Sequence, residues 1–268
     1  MRTITIVGAS LAGLRAAETF RRDGFDGRIT VIGEEPHEPY DRPPLSKQIL
    51  AGSWDPDRAI LSERHSLDSL EVDWRLGVRA IGLDLVSGKV ELSDGEVVFH
   101  EGLVIATGAR CIELPGSERY EGVYTLRTLD DCLAIRRDFL ASPHRVVIVG
   151  AGFIGAEVAA TAKEMGLHVT IVEMANVPFE RILGREMGQV CAEVQSDHGV
   201  VLRTGVSVDA IEGGRRVERV KLSDGSVLEA DVVVVGIGVI PNTEWLKGSG
   251  LSLECGLYFK RTFRRTHN

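Results

Sequence analysis

"RVVIVGAGFIGAEVAATAKEMG", residues 145–166, is the stretch that decides the fold of this chain. It opens with a run of apolar, β-branched side chains, which predicts a buried strand, and the glycines that follow predict a tight turn. Good helix formers then continue to Gly166, whose position is typical of a helix C-terminus. A second apolar run, HVTIVEMA at 168–175, completes a strand–helix–strand unit. Such a unit predicts an α/β domain with a parallel sheet.

The N-terminal part of the chain repeats this unit. TITIVGASLAGLRAAETFRRDG at 3–24 again reads as strand, turn and helix, and RITVIGEE at 28–35 is the second strand. Each glycine turn therefore lies between a strand and a helix, which is the context that a dinucleotide-binding turn requires.

Each copy continues in the same way. KVELSDGEVV at 89–98 and RVKLSDGSVL at 219–228 both predict a hairpin with an Asp-Gly turn. Each is followed by an apolar strand that ends in glycine, LVIATGA at 103–109 and VVVVGIG at 232–238. We therefore expect two α/β domains of the same topology, each with a parallel sheet and an inserted β-meander.

The two glycine turns differ at one position. In the pattern G-x-G-x-x-G, the first glycine makes the turn, the second admits a pyrophosphate and the third lets the helix pack on the strand. The second turn has Gly150, Gly152 and Gly155, and the first has Gly8, Ser10 and Gly13. Serine is small enough to keep the close approach, so both turns are interpreted as nucleotide sites. The alternative is two glycine-rich turns without a ligand.

Acidic residues follow each second strand at the position that contacts a ribose. They are Glu34 in the first copy and Glu173 in the second. A carboxylate there accepts hydrogen bonds from a ribose diol and repels a 2′-phosphate. The second site is therefore expected to prefer NADH over NADPH, with a surface glutamate of no such role as the alternative.

Composition excludes several other classes of protein. The chain has 268 residues, 44% hydrophobic and 26% charged, and a net charge of −8, which suits two globular domains and disfavours a nucleic-acid partner. The longest apolar run, DVVVVGIGVIP at 231–241, is too short to cross a bilayer. With no secretory signal, we expect a cytoplasmic protein without a membrane partner.

The four cysteines give no signal for a metal or a redox-active disulfide. Cys111, Cys132, Cys191 and Cys255 are scattered and form no C-x-x-C or C-x4-C pair. We therefore expect reduced thiols and no metal site. The absence of a cysteine pair also argues against the disulfide reductases that share this architecture.

Several longer motifs carry a resemblance to a known family. They are the N-terminal stretch 4–47 with its PYDRPPLSK (39–47), LVIATGA (103–109), TLRTLDD (125–131), VVIVGAGFIGAEVAA (146–160) and GIGVIPN (236–242). In this order they resemble the FAD-dependent NADH:ferredoxin and rubredoxin reductases that serve bacterial oxygenases. RPPLSK together with GAGFIGAEVAA is far more specific than either glycine turn alone.

The resemblance implies two Rossmann-like domains of the glutathione-reductase type. The FAD-binding domain would comprise 1–112 and 242–268, and the NAD-binding domain 113–241. The implied FAD contacts are Gly8, Ser10, Ala12, Gly13, Glu34, Lys47, Ala80, Thr107, Gly108 and Arg127. The implied NAD(H) contacts are Gly150, Gly152, Ile154, Gly155 and Glu173, and Arg42 of PYDRPPLSK and Gly238 of GIGVIPN complete the cofactor set.

The resemblance also implies the chemistry. Hydride would pass from NADH to FAD, and reduced FAD would pass single electrons to an iron–sulfur ferredoxin or to a rubredoxin. Lys47 would lie beside the flavin ring and pair with Glu157 near the nicotinamide, where a cation stabilises a reduced, anionic flavin. The alternatives are a solvated loop lysine and a glutamate that only favours the helix dipole.

The family is longer than this chain, and the end of the chain departs from it. FRRT at 263–266 resembles a distorted family turn, and no Gly-Asp motif follows. We therefore expect a fragment, an early-terminated product or an incomplete gene model of a reductase, without the C-terminal interface domain. A remnant that only binds NAD(H), or a superfamily member of the NADH oxidase or nitrite reductase type, are the alternatives, and RPPLSK disfavours the latter.

Overall fold

The chain folds into two compact units in the computed structural model, which describes residues 1–61 and 64–253. The first unit consists of 1–40, 60–109 and the described residues from 241 onward, and the second of 41–59 and 110–240. Cys255 and the FRRT stretch at 263–266 lie outside the described residues.

The first unit is built on a four-stranded parallel sheet. Its strands and helices are β1 Thr3–Val7, α1 Leu11–Arg22, β2 Arg28–Gly33, α2 Arg64–Ser69 and β3 Val72–Leu76, followed by the meander β4 Ala80–Asp84, β5 Lys89–Leu92 and β6 Val97–Phe99, and by β7 Gly102–Ile105. The sheet order is β3-β2-β1-β7, and every neighbouring pair is parallel.

The core of this unit explains why these residues form these elements. The central strand β1 is buried on both faces, with Ile4 and Ile6 on one face and Thr5 and Val7 on the other. Strands buried on both faces of a parallel sheet have a mostly apolar sequence. The antiparallel meander packs its own apolar face against Trp245 and Leu246 of a short 3₁₀ turn, Glu244–Leu246.

The second unit repeats the design with one more strand. Its elements are β9 Val123–Thr125, α3 Leu129–Leu140, β10 Arg145–Val149, α4 Phe153–Glu164, β11 His168–Glu173, α5 Glu180–Asp197, β12 Val201–Thr204, the meander β13 Val208–Gly213, β14 Val217–Leu222 and β15 Val227–Glu229, and β16 Val232–Val235. The parallel sheet has the order β12-β11-β10-β16-β9. The chain passes between the units at 40/41 and 59/60, and again at two further short strands, β8 Ala109–Cys111 and β17 Val239–Pro241.

These observations confirm the predicted fold class. Both units have a parallel sheet, a strand–helix–strand opening and a three-stranded antiparallel meander, as the repeated sequence indicated. Within the described residues no helix combines the length and the apolar character needed to cross a bilayer.

The division of the chain into compact units differs from the expected domains mainly in one segment, apart from small boundary shifts at 110–112 and 241. Residues 41–59 pack with the second unit, although the sequence-based division placed them in the first. The reason is that Leu45, Ile49 and Leu50 of this segment are buried, and that Cys132 of α3 and Thr161 of α4 bond to its backbone.

Candidate functional site

A cavity of 760 Å³ lies within the second unit, at the carboxyl ends of the central strands of its sheet. Residues that follow β10, β11 and β16 line it, together with the N-terminus of α4 and the start of α5. We call it the β10 cavity. Strand β10 lies between β11 and β16, so the cavity is at the point where the strand order reverses, which is where open α/β sheets bind ligands.

Two glycines at the N-terminus of α4 are required by the fold itself. Gly150 has φ +102°, and a Cβ built on it would lie 2.5 Å from the carbonyl oxygen of Gly236. A Cβ on Gly155 would lie 2.0 Å from the carbonyl oxygen of Gly150. These distances are far below van der Waals contact, so both positions must be glycine whether or not a ligand binds.

Gly152, the middle glycine, is different. Its backbone is extended, with φ −82°, and beyond its immediate neighbours no described residue has an atom within 4 Å of a Cβ built there. Neither conformation nor internal packing therefore requires glycine at this position. The open space faces the β10 cavity, which Gly152 lines, so the missing side chain leaves room for a ligand.

The N-terminus of α4 opens onto the same cavity. Gly152 is its N-cap and provides no side chain to accept from the first N–H groups, and Phe153 and Ile154 line the cavity wall while remaining about half exposed. Unpaired N–H groups and the positive end of a helix dipole together bind phosphate. The arrangement suits a pyrophosphate.

Glu173 stands at the end of β11, on the cavity wall. Its Oε2 accepts a hydrogen bond from the N–H of Ala151 at 2.6 Å, and its Oε1 accepts one from the N–H of Ala175 at 2.8 Å. The carboxylate therefore ties the glycine turn to the end of β11. Each carboxylate oxygen accepts more than one hydrogen bond, so a ribose diol can still bind.

Lys47 and Glu157, the two predicted catalytic residues, are brought together in the second unit. The Nζ of Lys47 lies 2.7 Å from Oε2 of Glu157, and both side chains are a little over one-third exposed. The hydroxyl of Ser46 donates to the same carboxylate oxygen, and the Nζ of Lys47 lies 3.3 Å from that hydroxyl. Ser46 also lines the β10 cavity, so the pair lies beside its wall.

Arg42 and Arg127 belong to the second unit as well. Both line the β10 cavity, and Arg42 donates from Nη1 to the carbonyl oxygen of Arg127. The N–H of Arg127 in turn donates to the carboxylate of Asp131, which forms a capping box with Thr128 at the start of α3. The resemblance assigned Arg127 to FAD and Arg42 to the cofactor set in general, and both lie among the residues around the predicted NAD(H) site. Gly238 lines the same cavity.

The first unit carries the other glycine turn, from Gly8 to Gly13. Gly8 has φ +119°, and a Cβ on it would lie 2.1 Å from the carbonyl oxygen of Ala106. A Cβ on Gly13 would lie 1.8 Å from the carbonyl oxygen of Gly8, which repeats the geometry of the other turn. Ser10 occupies the N-cap of α1 in an extended conformation, and Ala12 is exposed in the first turn of that helix.

The other predicted FAD contacts lie around the same edge of the first unit. Glu34 follows β2, is exposed, and lies 3.7 Å from Nη1 of Arg79, while Ala80 is buried at the start of β4. The hydroxyl of Thr107 donates to the carbonyl oxygen of Asn242, whose own N–H donates to the carbonyl oxygen of Gly108. Asn242 thus holds the turn after β7. The motif GIGVIPN gave no indication of this role.

The cysteines are free thiols where the structure describes them, at Cys111, Cys132 and Cys191. Burial raises the pKa of Cys132 to about 12, and burial together with Asp131 raises the pKa of Cys111. Raised pKa values disfavour the thiolate, so neither thiol is a candidate nucleophile. Within 1–61 and 64–253, no three His, Cys, Asp or Glu side chains form a group that could hold a metal ion.

Two residues that sequence reasoning missed complete the surroundings of Lys47. Ser46 bonds to Glu157, and the hydroxyl of Thr161 donates to the carbonyl oxygen of Ser46 at 2.7 Å. The only available signal was that Thr161 follows Glu157 by one helical turn, which places both on one face of α4.

The chain is similar to proteins of a known family. Residues 2–266 match the family described as pyridine nucleotide-disulphide oxidoreductase. The chain is 39% identical over 256 residues to the ferredoxin reductase component of chlorobenzene dioxygenase from Cupriavidus sp. (strain PS12), covering 95% of this chain and 62% of that protein. It is 39% identical to rhodocoxin reductase from Rhodococcus erythropolis, covering 95% and 60%.

Solved structures give the same result. The putidaredoxin reductase in a covalent complex with putidaredoxin matches with a TM-score of 0.91 at 34% identity, covering 95% of this chain and 63% of that one. The ferredoxin reductase of the CYP199A2 system from Rhodopseudomonas palustris matches with a TM-score of 0.91 at 36% identity, covering 96% and 64%. The chain thus spans somewhat less than two thirds of the length of these relatives.

Proposed function

The chain belongs to the pyridine nucleotide-disulphide oxidoreductase family, and from that premise we propose that it is an NADH-dependent flavoprotein reductase whose electrons pass to a ferredoxin or a rubredoxin serving an oxygenase. The names of its relatives support this class, since they are ferredoxin reductase components of dioxygenase systems and reductases such as rhodocoxin reductase. FAD and NAD(H) are the cofactors of this family, so the cofactor prediction is confirmed at that level.

The observation that carries the proposal is the free space at Gly152. Glycine there serves no purpose inside the chain, yet it lies at a helix N-terminus that opens on a 760 Å³ cavity. Helix dipole, unpaired N–H groups and an adjacent carboxylate together suit a dinucleotide. We therefore assign the pyrophosphate of NADH to the turn Gly150–Gly155 and its adenosine ribose to Glu173.

The first unit is assigned to FAD. Its glycine turn has the same close contacts as the turn of the second unit. Ser10, which stands where the pattern has its second glycine, has a small side chain whose hydroxyl can donate to phosphate. When bound, FAD converts a two-electron hydride into single electrons, which a ferredoxin requires. Gly8, Ser10, Ala12 and Gly13 would hold its pyrophosphate, Glu34 its ribose, and Thr107 and Gly108 another part of the molecule.

Lys47 and Glu157 are assigned to electrostatic control of the reaction. The Glu157 carboxylate and the Ser46 hydroxyl hold the ammonium group of Lys47 at one place. A cation held beside a ring that gains negative charge stabilises the reduced state, and a group that is already in place needs no reorganisation. Lys47 binds neither phosphate nor ribose in this assignment, so it affects the rate of reduction more than NADH affinity.

The electron acceptor and the cellular location belong to the same proposal. The electron acceptor would be a small iron–sulfur ferredoxin or a rubredoxin, and the protein would act in the cytoplasm. A net charge of −8 disfavours nucleic acid as a partner.

The visible spectrum of the purified protein tests the proposal. We expect a flavin spectrum that NADH bleaches without oxygen, and that recovers when an oxidised ferredoxin is added. A colourless protein that binds NADH would instead support a nucleotide-binding remnant. A flavoprotein that reduces oxygen or nitrite but no ferredoxin or rubredoxin would support the other reductase classes.

A further inference from the structure

The short turn that carries Lys47 is fixed to two helices through its backbone. This turn, Pro43–Ser46, leads directly into Lys47. The Sγ of Cys132 in α3 lies 3.0 Å from the carbonyl oxygen of Leu45, and the hydroxyl of Thr161 in α4 donates to the carbonyl oxygen of Ser46 at 2.7 Å. All four residues are buried, so these are the contacts that satisfy the turn in place of water.

Helix α4 contacts the turn at two levels on one face. Thr161 lies four residues after Glu157, which puts both side chains on the same side of the helix. Thr161 binds the backbone of Ser46, and Glu157 accepts from the side chain of Ser46 and pairs with Lys47. Helix α4 therefore contacts both the backbone next to Lys47 and the charged end of the Lys47 side chain.

The ion pair alone is a weak restraint. Both partners are more than one-third exposed, and exposed pairs gain little because solvent screens them and because ordering a long lysine opposes them. By contrast, the Thr161 hydroxyl and the Ser46 carbonyl are buried, and a buried carbonyl that loses its donor is strongly disfavoured. The position of Lys47 is thus set mainly by the buried hydrogen bond beneath it.

The hydroxyl of Thr161 does not make the hydrogen bond within its own helix that threonine usually makes. In a helix interior, a threonine hydroxyl commonly bonds back to the carbonyl group four residues earlier. Here it donates to a residue 115 positions away in sequence. Valine is nearly isosteric with threonine but has no hydroxyl, so the hydroxyl is the part of the side chain that needs an explanation.

We propose that Thr161 is a positioning residue, which holds the carbonyl group of Ser46 so that Lys47 and Glu157 meet at the edge of the β10 cavity. The role of this placement in flavin reduction rests on the proposed function. Thr161 itself touches neither reacting group.

Chemical labelling of Lys47 tests the positioning without any cofactor. The purified full chain is treated with an amine-reactive acylating reagent, and the labelling rate of each lysine is read by peptide mass spectrometry. In Thr161→Val, the orphaned Ser46 carbonyl displaces the turn, so Lys47 should label about threefold faster, as expected when an exposed ion pair is lost. Thr161→Ser keeps the hydroxyl and should label at the wild-type rate, and exposed Lys221 is the internal reference.

Thr30→Val is the matched control, because Thr30 is a buried threonine in β2 of the first unit. It should leave Lys47 labelling unchanged. An unchanged Lys47 rate in Thr161→Val, or an equal increase in Thr30→Val, overturns the positioning role.

Rapid-mixing measurement of flavin reduction then tests the consequence. Thr161→Val should reduce its flavin about tenfold more slowly than wild type at saturating NADH, with the Kd for NADH within about twofold, because a misplaced group loses rate rather than binding. Thr161→Ser should restore the rate. If wild type is reduced by NADH and Thr161→Val is equally fast, the catalytic consequence is wrong. If wild type is not reduced at all, the proposed function fails, and the labelling result still decides the positioning.

Discussion

Gly152→Ala is the substitution that separates ligand binding from folding at the β10 cavity. Its backbone, φ −82° and ψ −173°, suits alanine, and no atom of the described residues beyond its neighbours lies within 4 Å of the added Cβ. Alanine is a poorer N-cap than glycine by roughly 0.5–1 kcal/mol. The smaller entropy of its unfolded chain offsets this by roughly 0.4–1 kcal/mol. We therefore expect the free energy of unfolding to stay within about 1 kcal/mol of wild type.

NADH binding should respond very differently. If the pyrophosphate lies against Gly152, the added methyl group occupies its place, and the Kd for NADH should rise at least about tenfold, which is about 1.4 kcal/mol. Isothermal titration calorimetry gives the Kd, and urea unfolding followed by circular dichroism gives the stability.

Gly155→Ala is the matched control for this experiment. Its Cβ would lie 2.0 Å from the carbonyl oxygen of Gly150, so it should destabilise the fold by more than about 2 kcal/mol and lose binding as a consequence. A Gly152→Ala protein that is stable and binds NADH like wild type would refute the assignment of the pyrophosphate to this turn. A Gly152→Ala protein as unstable as Gly155→Ala would show that the chain itself has no room for a Cβ at position 152.

Three further predictions concern residues of the second unit. Lys47→Met should slow flavin reduction by NADH about a hundredfold while the Kd for NADH stays within about twofold, and an unchanged rate in rapid mixing would remove Lys47 from the mechanism. Glu173→Gln should narrow the preference for NADH over NADPH, since the charge that repels a 2′-phosphate is gone, and the ratio of kcat/KM for the two coenzymes measures it; equal or better use of NADPH by wild type would already contradict the assignment. The pKa of Cys132 is raised from 9.0 to about 12 by burial, so the native state keeps its proton while the unfolded state loses it above pH 9. This contribution to stability is complete below pH 9 and falls as pH rises from 9 towards 12, by at most about 1.4 kcal/mol per pH unit. Urea unfolding at pH 8 and pH 10 should therefore show the advantage of wild type over Cys132→Ala shrinking, and a constant difference would contradict the buried, protonated thiol.

The sequence predicted the two sheets well because their signals are local. Apolar β-branched runs such as 145–149 and 232–235 are long enough to identify buried strands, and both were found as strands in the structure. The glycine turns were recognised for the same reason, since a positive φ at Gly8 and Gly150 and the close contacts of Gly13 and Gly155 allow no other residue. The Asp-Gly turns likewise marked both meanders.

The segment 41–59 could not be placed correctly from local sequence signals. Its motif placed Arg42 and Lys47 with the FAD-binding domain by resemblance, whereas the structure packs the segment in the second unit. Nothing in the local pattern of a 3₁₀ turn states which helices cover it. That depends on whether Leu45, Ile49 and Leu50 find a surface to bury against.

The repeated strand–helix–strand units, the two glycine turns and the acidic residue after each second strand were determined by the sequence alone, because each is encoded within a few dozen consecutive residues whose periodicity and glycine positions favour one local structure. Only the tertiary structure decided that Glu173 also binds the N–H groups of Ala151 and Ala175, and that Thr161 holds Ser46 beneath Lys47. Such contacts join distant segments. They are determined by which surfaces bury together and by the requirement that every buried carbonyl and N–H find a partner, which no local pattern records.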